Sequence, residues 1–298
     1  MLGRIRLLLG LVRFSHTIFA LPFALSSAAL AWQGRWPVPP RQLALDLLGV
    51  LLCMVFARSA AMSFNRLADR NLDAKNPRTA SRHLPAGLLT PAAVWGFTAV
   101  CSAAFVASTL LFILSSDNWW PLYLSVPVLL FVCAYSYTKR FTALAHFWLG
   151  ASLLLAPLSA WIALRGIDGL LGTPLVLGLA VLFWVAGFDV LYACQDVEFD
   201  RTAGLASVPA RLGVRNSLRV ALACHVVMVG LLVSLFWVAA PLHGVVYALG
   251  VAAVAALVAY EHWLVRPDDL SRFNQAFFTV NGVISIGLFV VVLAQLAV

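Results

Sequence analysis

Charge is scarce in this chain. Only 11% of its 298 residues are Asp, Glu, Lys or Arg, whereas soluble globular domains carry about a quarter, and 62% are hydrophobic. That shortage excludes an ordinary water-soluble fold and places the chain in a bilayer. Cysteine is scarce as well. Cys53, Cys101, Cys133, Cys194 and Cys224 all fall inside apolar runs without a CxxC spacing, which excludes a disulfide framework or thiolate cage and leaves them as small packing residues. His16, His146, His225, His243 and His262 show no metal-ligand spacing, and His83 merely follows an acidic stretch. Basic residues outnumber acidic ones by 20 to 12. They sit in short breaks between apolar runs rather than on an amphipathic surface, so no nucleic-acid partner is expected.

What the chain has in abundance is long apolar runs. A helix needs roughly 20 apolar residues to cross a hydrocarbon core. Nine such runs are legible, at 15–33, 42–62, 91–114, 119–137, 142–164, 174–194, 218–238, 240–260 and 275–297. Arg13 and His16 interrupt the opening stretch, which therefore reads as the first span rather than a cleavable leader. Nearly all Lys and Arg fall at the N-terminus and in alternate loops, with Arg35, Arg41 and Arg165 alone on the other side. The positive-inside rule then puts the N-terminus in the cytoplasm and the C-terminus outside, as expected for a bacterial inner-membrane protein. Trp119 and Trp120 fall where an interfacial aromatic belt is expected.

Acidic residues next to a membrane are costly, and here half of them gather in two segments. In SFNRLADRNLDAK, Asn65, Asp69 and Asp73 repeat at spacing four, which stacks them on one helical face. In GFDVLYACQDVEFD, Asp196 and Asp200 repeat that spacing, with Asp189 two turns earlier. Like carboxylates so placed repel, so a cation is expected. Oxygen-only ligands suit magnesium, which takes one or two carboxylates plus substrate phosphates. Arg66, Arg70, Lys75, Arg78, Arg82 and Arg201 lie in the same segments and suit a diphosphate. The two segments recur in matching positions four helices apart, the mark of a duplicated four-helix unit with its site at the shared interface.

These residues resemble the UbiA superfamily of intramembrane aromatic prenyltransferases. The resemblance rests on N-x3-D-x3-D after the second span and D-x3-D after the sixth, on RTASRHLPAG after the first motif, and on YSYTKR, whose Tyr135 and Lys139 are similar to the family's Tyr-x3-Lys element. Arg58 matches a basic position of the 4-hydroxybenzoate branch, and Asp189, Tyr192, Asp196 and Asp200 are similar to that branch. RSAAMSFNRLADR and GFDVLYACQDVEFD look nearest to its menaquinone-pathway (MqnP-type) relatives, which implies 1,4-dihydroxy-6-naphthoate as an alternative acceptor. One departure is Arg66 directly after Asn65, where Asn-Asp is commoner.

The resemblance implies an all-α polytopic domain over 1–298, built of repeats at about 15–137 and 142–260 plus a last helix at 275–297, around a central cavity. It also implies transfer of a polyprenyl chain from its diphosphate to an aromatic acid in quinone biosynthesis. Two magnesium ions bridged by the diphosphate are expected, one on Asn65, Asp69 and Asp73 and one on Asp196 and Asp200. Lys139 is the first residue expected on phosphate, then Arg66, Arg78, Arg82 and Arg201; Tyr135 belongs to the same element. Arg58 is expected on the acceptor's carboxylate, with Asp189 and Tyr192 deeper, where Asp189 is placed to take a proton. Phe19, Phe23 and Phe56 are expected as walls for the prenyl tail. The rival reading is an ion-coupled transporter, but the acids lie at helix ends rather than near the midplane where transport sites sit.

Overall fold

The structure is a computed structural model that describes residues 7–8, 10–12, 19–33, 35–265 and 275–298. The described residues form helices joined by short connections and contain no strand. They include eight helices long and apolar enough to cross a membrane, and the chain is an integral membrane protein. The first expected span, 15–33, is described from Phe19 onward and forms α1, Leu21–Gln33; its start lies outside the described residues.

Two compact units divide the chain, one of Met1–Thr17 with Pro40–Thr138 and the other of Ile18–Pro39 with Lys139–Val298. The first unit holds α2 (Pro40–Lys75), α3 (Pro91–Ser116) and α4 (Trp120–Thr138). At 36 residues α2 is about 54 Å long, far more than a bilayer core requires. The expected end at 62 is thus corrected, and the first acidic motif rides on the same continuous helix. Thr90 caps α3 by accepting the Ala93 N–H, with Pro91 at the first helical position. Asp117, in the left-handed conformation at φ 53°, ends that helix and accepts from Trp119 Nε1 at 3.0 Å. Gly49 on α2 lies directly against the Phe112 ring, which lets α2 and α3 approach closely. The buried Asp46 accepts from Ser115 Oγ at 2.6 Å, and Thr98 Oγ1 donates to Ser63 at 2.8 Å.

The second unit holds α1, α5 (Ala145–Arg165), α6 (Thr173–Ala193), the short α7 (Val197–Thr202), α8 (Val208–Val238), α9 (Val245–Leu264) and α10 (Asn281–Ala297). The sixth expected span, 174–194, ends where α6 does, and a 3-10 turn at Cys194–Asp196 separates α6 from α7. The segment from Ser207 to Gly213 is largely helical: Ser207 caps it through the Ala210 N–H, and it kinks at Gly213, whose φ is 74°. The expected cavity walls Phe19 and Phe23 are core residues here, packed around Trp184 with Phe188.

Lipid offers buried polar groups no partners, so they must satisfy one another. Trp184 Nε1 donates to Asn281 Oδ1 at 2.7 Å, and Asn281 Nδ2 donates to Glu261 Oε1 at 2.8 Å. His225 faces His262 at 2.9 Å and the Trp184 carbonyl at 3.2 Å. This network ties α6, α8, α9 and α10 together. Asn281→Leu orphans the Trp184 donor and removes the donor to Glu261, each at about 1–2 kcal/mol, so thermal unfolding in detergent is expected to start several degrees lower. An unchanged midpoint would show that the network carries no stability.

Candidate functional site

In the first unit, Asn65, Asp69 and Asp73 occupy successive turns of one face of α2. Asp69 and Asp73 are only 2% and 5% exposed, an arrangement costly for carboxylates without compensation. Asn65 Nδ2 donates to Asp69 Oδ2 at 3.3 Å and to Ser136 Oγ, on α4, at 3.4 Å. Arg82 Nη1 donates to Asp73 Oδ1 at 2.7 Å, a short charge-assisted bond from the loop that follows α2. That loop is built to bring Arg82 back. Thr79 Oγ1 donates to the Asp73 carbonyl at 3.0 Å, Asn76 Oδ1 accepts from the Arg78 N–H at 2.9 Å, and the His83 carbonyl accepts from Leu88 and Leu89. Asp73 Oδ2 is buried and has no hydrogen-bond partner among the described residues.

That buried orphan oxygen is what a cation ligand looks like before its ion arrives. All the donors here are oxygens, which fits magnesium. Among the described residues no three His, Cys, Asp or Glu side chains gather as a ready-made metal cage. Magnesium does not need one, since it takes one or two carboxylates and fills its shell with water and phosphate. Arg66 is buried beside the motif, whereas Arg78 is exposed. Arg58 lies higher on α2, with its Nε buried and without a hydrogen-bond partner among the described residues. Tyr135, on α4, offers its backbone carbonyl to Thr138 Oγ1.

In the second unit, Asp196 stands at the start of α7 and Asp200 in its first turn. Asp200 lies where the Ser207 hydroxyl and the charges of Asp196 and Lys139 act on it. Lys139 is tied in through its carbonyl, which accepts from the Ala206 N–H at 2.8 Å. Arg201 does not join this group: its Nε donates to the Ala210 carbonyl at 3.2 Å, and Nη1 lies 3.7 Å from the exposed Glu198. These contacts hold α7 against α8. Tyr192, half-buried near the end of α6, accepts through its carbonyl from Gln195 Nε2.

Asp189 has a partner that sequence reasoning missed. His146 Nδ1 lies 2.7 Å from Asp189 Oδ2, and His146 Nε2 accepts from the Val208 N–H at 3.3 Å. The two residues are 43 positions apart on different helices, and no periodicity connects them. Ser136 and Ser207 were missed for the same reason, as single hydroxyls among many.

The chain was compared with known proteins on this footing. The model of the UbiA prenyltransferase family matches residues 20–283, which is most of the chain. This chain belongs to the UbiA prenyltransferase family. Curated relatives of this UbiA member include the 4-hydroxybenzoate octaprenyltransferase of Nitrosomonas europaea, 31% identical over 243 residues that cover 81% of this chain and 78% of that one. The enzyme of the same name from Ralstonia nicotianae is 30% identical over 277 residues, covering 90% and 87%. Among solved structures, a UbiA homologue from Aeropyrum pernix K1 has a TM-score of 0.81 at 30% identity, covering 95% of this chain and 98% of its own. A UbiA homologue from Archaeoglobus fulgidus bound to DMAPP and Mg2+ shares the fold, with a TM-score of 0.73 at 19% identity and coverage of 98% and 99%.

Proposed function

We propose that this UbiA member transfers a polyprenyl group from its diphosphate to the ring of an aromatic acid, with 4-hydroxybenzoate as the first acceptor and 1,4-dihydroxy-6-naphthoate as the alternative. The observation that carries this reading is the Asn65, Asp69 and Asp73 face of α2, where a buried carboxylate oxygen waits without a partner next to Arg82. Curated relatives named for octaprenyl transfer to 4-hydroxybenzoate support it, as does a homologue of the same fold that binds DMAPP with Mg2+. The carrier alternative has no comparable support.

Breaking the allylic carbon–oxygen bond leaves negative charge on diphosphate. Magnesium, when bound, neutralises that charge; Asn65, Asp69 and Asp73 would hold one ion, and Asp196 and Asp200 a second. Lys139, Arg66, Arg78 and Arg82 supply the remaining positive charge to the diphosphate. Arg82 also holds the Asp73 carboxylate in place. Arg58, with its Nε unsatisfied, takes the carboxylate of the acceptor. The apolar surroundings keep water from the allylic cation until the ring is attacked. The basic loops, and with them the N-terminus, belong on the cytoplasmic side of a bacterial inner membrane and the C-terminus outside. A reporter fused after Val298 is expected to read as external, and a cytoplasmic signal would overturn that topology.

The test is prenyl transfer by the purified protein in liposomes, with magnesium, a polyprenyl diphosphate and the two acceptors offered in parallel. Product with one acceptor, lost on chelation, is expected. Absence of product with both would overturn the acceptor class.

A further inference from the structure

His146 lies outside both carboxylate motifs, yet it is buried, with 6% of its side chain exposed, and bonded at both ring nitrogens. The Val208 amide can only donate, so Nε2 must carry its lone pair and Nδ1 must carry the proton of the neutral ring. Nδ1–H therefore donates to Asp189 Oδ2. The other oxygen of Asp189 makes no hydrogen bond among the described residues, and 17% of that side chain remains exposed. The segment that grips Nε2 is also the one that matters for Asp200. Ser207, directly before Val208, places its hydroxyl where it acts on Asp200, and the Ala206 N–H donates to the Lys139 carbonyl. One imidazole thus joins the deep carboxylate to the backbone that supports the second motif.

We infer that His146 is a positioning residue with two separable tasks. Through Nδ1–H it fixes one oxygen of Asp189 and turns the other toward the hydroxyl of the aromatic acceptor. Through Nε2 it anchors the 206–208 segment, which keeps Ser207 on Asp200. This inference rests on the prenyl-transfer reading above for what Asp189 and Asp200 contact, but the hydrogen-bond bridge itself does not.

Two conservative variants separate the tasks. In His146→Asn the amide nitrogen stands where Nδ1 was, so the donor to Asp189 is kept and the anchor to Val208 is lost. In His146→Gln the amide oxygen stands where Nε2 was, so the anchor is kept and the donor is lost. Losing a hydrogen bond to a charged group changes an equilibrium by about tenfold or more. His146→Gln is therefore expected to raise the KM of the acceptor by about that factor and leave the KM of the prenyl diphosphate within about twofold. His146→Asn is expected to show the reverse split. Loss of a packing residue alone would move both constants together in both variants, and that result would overturn the inference.

A second measurement separates failure of the bridge from failure of the reaction. Nitrogen-15 spectra of histidine-labelled protein, with the His146 signal assigned from its loss in His146→Gln, report the ring's tautomer without any substrate. A pure Nδ1-protonated neutral ring that becomes a tautomer mixture in Asp189→Asn is expected. If that signature is present and no acceptor is prenylated, the reaction is misread and the bridge stands as a structural device with its catalytic task refuted. A mixed tautomer in the unaltered protein would overturn the bridge whatever the activity.

Discussion

Asp69→Ala and Asp196→Ala are each expected to lower prenyl transfer by about a thousandfold or more, since on the proposed reading each removes an oxygen ligand from a group that stabilises charge only as the diphosphate departs. Interactions made chiefly in the transition state are lost from kcat and from kcat/KM together, so raising the prenyl diphosphate concentration is not expected to rescue either variant. Higher magnesium is expected to restore Asp69→Ala only in part, because Asn65 and Asp73 remain on the same face of α2. The control is Asp46→Asn. Asp46 is as buried as Asp69, at 1% against 2% exposed, but it is bonded to Ser115 in a different part of α2. It tests whether merely disturbing a buried carboxylate on that helix abolishes transfer. Activity in Asp69→Ala within about tenfold of the unaltered protein would sink the assignment of this face to the diphosphate site.

The milder member of that series is Arg82→Gln. Its guanidinium offsets Asp73 at 2.7 Å, so the variant leaves a buried carboxylate without its counterion. Weaker magnesium-dependent binding of inorganic diphosphate is expected, by about tenfold, readable in a ligand-induced thermal shift. Unaltered binding would confine Arg82 to holding its loop.

Membrane residence and both carboxylate faces could be read from sequence because they rest on features a lipid solvent makes rare: long apolar runs and clustered acids. The end of α2 could not. The spacing of Asn65, Asp69 and Asp73 announces a helical face, but the apolar run stops near residue 62 and does not tell that one unbroken helix carries both. The end of α6 was placed within one residue by the apolar run, but nothing in the residue order announces that a 3-10 turn follows it at Cys194–Asp196. Arg201 reads as a phosphate ligand from its place in the sequence, and its hydrogen bond to the Ala210 carbonyl is a contact that this place does not reveal. Glu261 belongs to neither acidic segment, yet it is buried on α9 with Asn281 as its donor. In each case the missing information was a partner on another helix.

Gly150 governs how closely two of those helices approach. It lies on α5 one turn after His146, and a Cβ added there would press on the Leu182 carbonyl oxygen of α6. That atom is backbone and cannot swing away, so α5 and α6 must separate. Gly178, on α6, offers a comparison within the same helix pair. A Cβ there presses first on the end of the Leu158 side chain, which can rotate, with Leu154 Cγ and the Leu154 carbonyl oxygen at 3.1 and 3.3 Å. Gly150→Ala is therefore expected to cost about 1–3 kcal/mol through overpacking. Gly178→Ala is expected to be close to neutral, since alanine's better helix propensity, worth about 1 kcal/mol, offsets a side-chain adjustment. The functional consequence follows from the spacing. His146 and Asp189 meet at 2.7 Å across the same pair of helices, and separating them by about an ångström takes the pair beyond hydrogen-bond range. Gly150→Ala is thus expected to lower the unfolding midpoint in detergent and also to reproduce the kinetic split of His146→Gln, with a raised acceptor KM. Gly178→Ala is expected to do neither. If both glycine variants melt alike and leave the acceptor KM untouched, close packing of α5 on α6 is not what holds His146 against Asp189.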